Sequence, residues 1–122
     1  MHEMSLVMGM LREVERQLEP YGPGVRVLKL GLRVGRLHAV VPEAMRLCFE
    51  VASQSTIAEG ARLEIEQLDV VGRCPSCGRE WQLTEPLFLC PSCETPVAVA
   101  QGEELTLATI EFETPDTKEE SA

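Results

Sequence analysis

The sequence predicts an α+β fold: two amphipathic helices packed on a small three-stranded sheet, with a cysteine module inserted between two of the strands. Three observations lead there. Apolar residues recur at helical spacing over 4–19 and again from Pro42 to about Ser53. They alternate with period two over 25–34, 62–69 and 104–112. Two Cys-Pro-Ser-Cys pairs, Cys74/Cys77 and Cys90/Cys93, stand twelve residues apart between the second and third of these strands.

In the first helix Met4, Val7, Leu11, Val14 and Leu18 form the apolar stripe, and Arg12, Glu13, Glu15, Arg16 and Glu19 take the other face. Ser5 or a neighbour is expected to cap its start, while Pro20, Gly22, Pro23 and Gly24 end it. The first strand should turn Leu28, Leu30, Leu32 and Val34 to one side, and Val25, Val27, Lys29, Gly31 and Arg33 to the other. Pro42 suits the first turn of the second helix. Met45, Cys48, Phe49 and Ala52 make its stripe, widened by Ala44, Leu47 and Val51, so this helix is expected to be well buried. In the second strand Leu63 and Ile65 point inward. In the third, Ala108, Ile110 and Phe112 alternate with Leu107, Thr109 and Glu111. The expected organisation is a discontinuous core of 1–70 and 101–113, a ribbon at 71–100, and a disordered acidic tail at 114–122.

The composition of the 122 residues is that of an ordinary globular chain, 44% hydrophobic and 25% charged. With one Trp, one Tyr and three Phe, any core must be mostly aliphatic. No run of eighteen apolar residues exists, so no membrane span is expected, and the charged first twenty residues do not read as a secretory signal. The net charge of -9 argues against a nucleic-acid binder, which needs cations to displace phosphate counterions. Much of that charge is local. Glu103, Glu104, Glu111, Glu113, Asp116, Glu119 and Glu120 against Lys118 place -6 in the last twenty residues, the pattern of a solvating tail.

Five cysteines without a signal peptide do not describe a secreted disulfide scaffold, and the expected compartment is the reducing cytoplasm. Each C-x-x-C pair turns two sulfurs toward one metal from a tight knuckle, and two knuckles complete a tetrahedral thiolate shell. Such a soft site selects zinc or iron, and zinc is the commoner structural choice. A rubredoxin-like iron centre would be expected to carry a denser aromatic shell than Trp81 and Phe88. A redox dithiol protein would lack a reason for two knuckles. The reading is therefore an inserted zinc ribbon with Cys74, Cys77, Cys90 and Cys93 as ligands. No open coordination position is left for catalysis, so no enzymatic role is expected. Gly78 follows the first knuckle, where a positive φ lets amides turn toward sulfur. Cys48, mid-helix on an apolar stripe, reads as a small core residue.

The amine of Met1, the amide of residue 2 and Nδ1 of His2 can chelate one metal in adjoining rings, with the Glu3 amide or carboxylate, or a more distant side chain, as a fourth donor. Amide nitrogens deprotonate only for ions that reward a planar field, Ni(II) or Cu(II). Protonation of His2 would compete with the metal. A histidine after an initiator Met is ordinarily just an exposed terminal residue, and the residues alone leave that reading open. His38, the only other histidine, reads either as an exposed loop residue or as a loop ligand near the N-terminus.

The start MHEMSLV resembles the M-H-E-x-S signature of the HypA/HybF family of hydrogenase nickel-incorporation metallochaperones. The stretches LRVGRLHAVVPEAMRLCFEVASQST, EGARLEIEQLDVVGRCPSCG, the second CPSC and QGEELTLATIEFE are similar to that family in the same order and spacing. The resemblance implies a carrier of Ni(II) as transient cargo for maturing [NiFe]-hydrogenase, with structural Zn(II). It places nickel on His2 with Met1 and Glu3, and zinc on the four knuckle cysteines. It implies a HypB-type GTPase and the hydrogenase large-subunit precursor as partners, and some members also serve urease maturation. The competing reading is a zinc-ribbon protein-interaction module without a nickel role.

Overall fold

A computed structural model of the chain describes residues 2–83 and 89–115. Met1, the segment 84–88 (which holds Phe88) and residues 116–122, most of the expected tail, lie outside the described residues. The elements in chain order are α1 His2–Leu18, β1 Arg26–Gly35, α2 Pro42–Ala52, β2 Arg62–Leu68, β3 Val71–Arg73, β4 Glu80–Gln82, β5 Ala98–Gln101 and β6 Leu105–Glu113. The α+β expectation stands: two helices accompany a sheet of order β2-β1-β6. A second sheet, β4-β3-β5, belongs to the cysteine module and had no counterpart in the periodicity, because its strands are only three or four residues long. No helix among the described residues is long and apolar enough to cross a membrane.

The chain divides into two compact units. One comprises 1–32, 40–65 and 107–122; the other comprises 33–39 and 66–106. The first is the helical unit, the second the ribbon unit.

In the helical unit α1 starts at His2 and therefore encloses Ser5, which cannot be its cap. Val7, Met10, Leu11, Val14 and Leu18 are buried, so Met10 takes the place expected for Met4, which is only half-buried. A 3-10 turn at Glu19–Tyr21, with Pro20 in it, ends the helix before Gly22 takes φ +78°. In β1 the alternation changes phase. Val25 and Val27 are buried, Leu28 is 46% exposed, and Leu30, Leu32 and Val34 are buried again. The start of the strand is held by the connection after α2, where Val27 N–H donates to the Ile57 carbonyl at 2.9 Å. The burial pattern of the strand is therefore not strictly alternating, and Leu28 points out against expectation. Gly31 lets β6 approach, since a Cβ there would collide with the Thr109 hydroxyl. Lys29 Nζ pairs with Glu64 at 3.3 Å, and further on Arg33 Nε pairs with Glu66 at 3.5 Å. Both partners advance together, the sense of parallel strands joined through a crossover helix.

Pro42 opens α2 as expected, but the helix buries less than its composition suggests. Met45, Cys48 and Phe49 are in the core, whereas Leu47 and Val51 are 62% and 55% exposed. They sit on the flank of the stripe, and nothing among the described residues covers that flank. Leu63 of β2 is buried and Ile65 half-buried, while Glu64 and Glu66 face out. In β6 Ile110 and Phe112 are half-buried, as Leu107 is, and Ala108 is exposed, so the strict alternation expected there is absent. Phe112 meets Tyr21 edge-on with ring centroids 4.8 Å apart.

Candidate metal centre

The two knuckles are built by the same backbone construction. In the first, Cys74 N–H donates to the Arg79 carbonyl at 2.9 Å and Gly78 N–H to the Cys74 carbonyl at 2.8 Å. In the second, Cys90 N–H donates to the Thr95 carbonyl and Glu94 N–H to the Cys90 carbonyl, both at 2.9 Å. The first knuckle caps the antiparallel pair β3–β4, whose last register step is Arg73 opposite Glu80. The second closes on a bridge between Leu89 and Pro96 and leads into β5, which pairs with the other edge of β3. The short strands thus exist to aim two turns at one point.

At that point the four sulfurs of Cys74, Cys77, Cys90 and Cys93 all lie within 4.8 Å of one another, an arrangement that could hold a metal ion. Cys77 Sγ and Cys90 Sγ are 3.9 Å apart. A tetrahedron with metal–sulfur bonds of about 2.3 Å has sulfur–sulfur edges of roughly 3.8 Å, so the donor set fits a four-coordinate ion. Gly78 takes the left-handed conformation, as its position after the knuckle requires, at φ +76°. The equivalent residue of the second knuckle is Glu94, at φ +56°, a conformation that L side chains adopt at some cost.

Burial divides the ligands. Cys74 and Cys90 are 0% and 1% exposed, Cys93 is half-buried, and Cys77 is exposed. The Thr95 hydroxyl lies 3.4 Å from Cys74 Sγ. That hydroxyl, followed by the amides of Cys77 and Ser76, draws the Cys74 thiol down to about 6. Cys93 is pushed up to about 12, first by the sulfurs of Cys77 and Cys74 and then by burial. Four thiols crowded together cannot all ionise unaided; a divalent cation removes the conflict by displacing the protons. Thr95 and Glu94 were missed by sequence reasoning. Their only signal was their place after the second knuckle, matching Gly78 and Arg79 after the first.

His2 and Glu3, two of the expected N-terminal donors, begin α1. His2 Nδ1 is 3.5 Å from Glu3 Oε1, with side chains 50% and 16% exposed. The other Glu3 oxygen accepts from the Val41 amide at 3.4 Å, which ties the carboxylate to the residue preceding α2. Met1, the third expected donor, lies outside the described residues. His38, the remaining candidate, belongs to the ribbon unit, where its Nε2 donates to the Glu103 carbonyl at 2.9 Å. Among the described residues the four cysteines are the one cluster of three or more metal-ligating side chains.

A helix-and-sheet unit and a ribbon unit whose four cysteines could hold a metal ion together point to a metal-binding class of protein. The chain belongs to the family described as hydrogenase/urease nickel incorporation, metallochaperone, HypA, whose model matches residues 1–112. As a member of that family it is a metallochaperone and not an enzyme. Similar relatives include the hydrogenase maturation factor HypA of Chlorobium limicola, 38% identical over 117 residues, covering 95% of this chain and 100% of that one. The hydrogenase maturation factor HypA of Desulfosudis oleivorans is 41% identical over 114 residues, covering 92% and 98%. The fold is shared with the solution structure of the Ni metallochaperone HypA from Helicobacter pylori, at a TM-score of 0.66 and 20% identity over 92% of this chain and 97% of that one.

Proposed function

We propose that this chain binds Ni(II) at its N-terminus through Met1, His2 and Glu3 and delivers it to the large-subunit precursor of a [NiFe]-hydrogenase. The observation that carries the reading is the His2–Glu3 pair at the first turn of α1, with Nδ1 beside a carboxylate that the Val41 amide orients. An α-helix leaves its first four N–H groups outside the i→i−4 ladder, so ionising one breaks no helical hydrogen bond. The positive end of the helix dipole opposes a bare cation, worth about 0.3–1 kcal/mol. Amidate and carboxylate donors neutralise the ion and remove that penalty. A planar d8 ion gains from such donors, and zinc does not, so the two sites sort their metals by geometry. A carrier must release its cargo, which points to micromolar-class affinity, about −8 kcal/mol.

In this reading Cys74, Cys77, Cys90 and Cys93 hold Zn(II) structurally, the ribbon spans 71–100, and the nickel-binding core spans 1–70 and 101–113. The partners are a HypB-type GTPase and, where urease is present, its maturation proteins, all in the cytoplasm. Nickel titrations of the untagged protein, His2→Ala, and a form with residues added before Met1 test it. Both altered proteins should lose at least tenfold in affinity along with the planar spectroscopic signature. Undiminished planar binding in both overturns the N-terminal site, and the protein then reduces to a ribbon module.

A further inference from the structure

Resting on the reading of the cysteine cluster as a zinc site, we propose that Cys77 is its oxidation site. Peroxide would attack there, link Cys77 to Cys93, and expel the metal.

The cluster is lopsided. Cys74 and Cys90 are sealed, Cys93 is half-buried, and Cys77 is exposed. The space beside Cys77 is open as well: a Cβ added at Gly78 would meet no atom within 4 Å. Hydrogen bonding runs the same way. The Cys74 sulfur has the Thr95 hydroxyl at 3.4 Å and the amides of Cys77 and Ser76 aimed at it. Donors that share the electron density of a thiolate lower its nucleophilicity. Cys77 Sγ has the sulfur of Cys90 at 3.9 Å. Cys77 is therefore the most accessible of the four sulfurs, and access governs site-selective oxidation.

The chemistry balances with hydrogen peroxide as the oxidant. The Cys77 thiolate attacks one peroxide oxygen, the O–O bond breaks, and hydroxide leaves. The product is a sulfenic acid, which is a poor zinc donor. Cys93, the more exposed of the remaining ligands and within 4.8 Å of Cys77 Sγ, then attacks that sulfur. A disulfide forms and a second hydroxide departs. Two thiolates lose two electrons in all, and one peroxide becomes two hydroxides. Zinc, left with two sulfurs, dissociates as Cys74 and Cys90 take up protons. A thiol reductant such as dithiothreitol reverses the disulfide and readmits zinc.

The test uses the full-length zinc-loaded protein. Its zinc content is measured first, then one to two equivalents of hydrogen peroxide are added in the presence of a chromogenic chelator. Differential alkylation and peptide mass spectrometry locate the oxidised cysteines. The expected result is stoichiometric zinc release with a Cys77–Cys93 linkage and an unmodified Cys48, which lies in the helical core at 7% exposure. Cys77→His keeps four zinc ligands without an oxidisable sulfur at that position and should slow release at least tenfold. Cys93→His should leave a Cys77 sulfenic acid that dimedone traps. Because the order of modification is read in the unaltered protein, the assignment stands or falls without either variant. First modification of Cys74 or Cys90, or release from Cys77→His at the unaltered rate, overturns it while leaving the zinc site intact. Protein that holds no zinc at the outset overturns the metal reading itself.

Discussion

The helical unit and the ribbon unit are held together by different physics. Buried apolar side chains in the first come from four elements: Val14 and Leu18 of α1, Leu30 of β1, Met45 and Phe49 of α2, and Leu63 of β2. Among the described residues of the second, the buried apolar side chains are Val34, Cys74 and Cys90. Two of those three are metal-ligand candidates. At about 25 cal/mol per Å² of apolar surface removed from water, the helical unit has a core of its own, whereas the ribbon must draw its order from coordination. The lesson is that one chain of this size can be ordered by solvent exclusion in one part and by four sulfurs in another.

The sharpest way to break that contrast is to remove the metal. Structural zinc sites contribute on the order of 10 kcal/mol or more to folding. Stripping the ion with a strong chelator should abolish amide protection in β3, β4 and β5 while the helical signal at 222 nm persists. Loss of both together, followed by hydrogen exchange and circular dichroism, would show that the two units are not separately ordered.

Next in size is the converse perturbation. Leu30 is 0% exposed in the central strand β1, and Leu30→Ala should cost about 2–5 kcal/mol in urea denaturation followed at 222 nm. Zinc content should be unchanged, because the knuckles owe little to that core.

A smaller effect distinguishes the knuckles themselves. Gly78 sits at φ +76° where a Cβ meets no neighbour, so Gly78→Ala is penalised by backbone conformation alone, roughly 1 kcal/mol. Glu94→Gly relieves the matching strain at φ +56° and should gain about as much, less what glycine's unfolded freedom takes back. Competition with a chelator of known zinc affinity reads both, in opposite directions.

The smallest effect belongs to the surface of α1. The Arg16 guanidinium, with help from the Gln17 amide, holds the Glu13 carboxyl at about 2. A carboxyl lowered in the folded state stabilises above its ordinary value near 4.5, and that contribution disappears as the pH falls through about 2. Both groups are solvent-exposed and salt-screened, so Glu13→Gln should lower the 222 nm melting midpoint only slightly at pH 7, and not at all below pH 2.

Legibility in the sequence followed the range of the interaction concerned. The convergence of four cysteines was readable because a C-x-x-C knuckle is closed by hydrogen bonds spanning four or five residues. Gly78 announced its conformation for the same reason. Helix α1 was readable from its stripe, but its start was not: Ser5 looked like a cap until the helix proved to begin at His2. Leu28, Leu47 and Val51 were misplaced for a different reason. Periodicity identifies which residues share a face, not which faces find something to cover them, and the start of β1 is held by a carbonyl thirty residues away. Strands β3, β4 and β5 are too short to carry any period.

By itself, then, the order of residues determined the α+β class and the two cysteine knuckles, because helical stripes, strand alternation and C-x-x-C turns are all local patterns. Only the folded chain decided which cysteines are sealed and which is reachable, that the Thr95 hydroxyl stands behind Cys74, and that the Val41 amide meets Glu3. Those facts depend on segments brought together from far along the chain, and no local pattern encodes where a distant segment comes to rest.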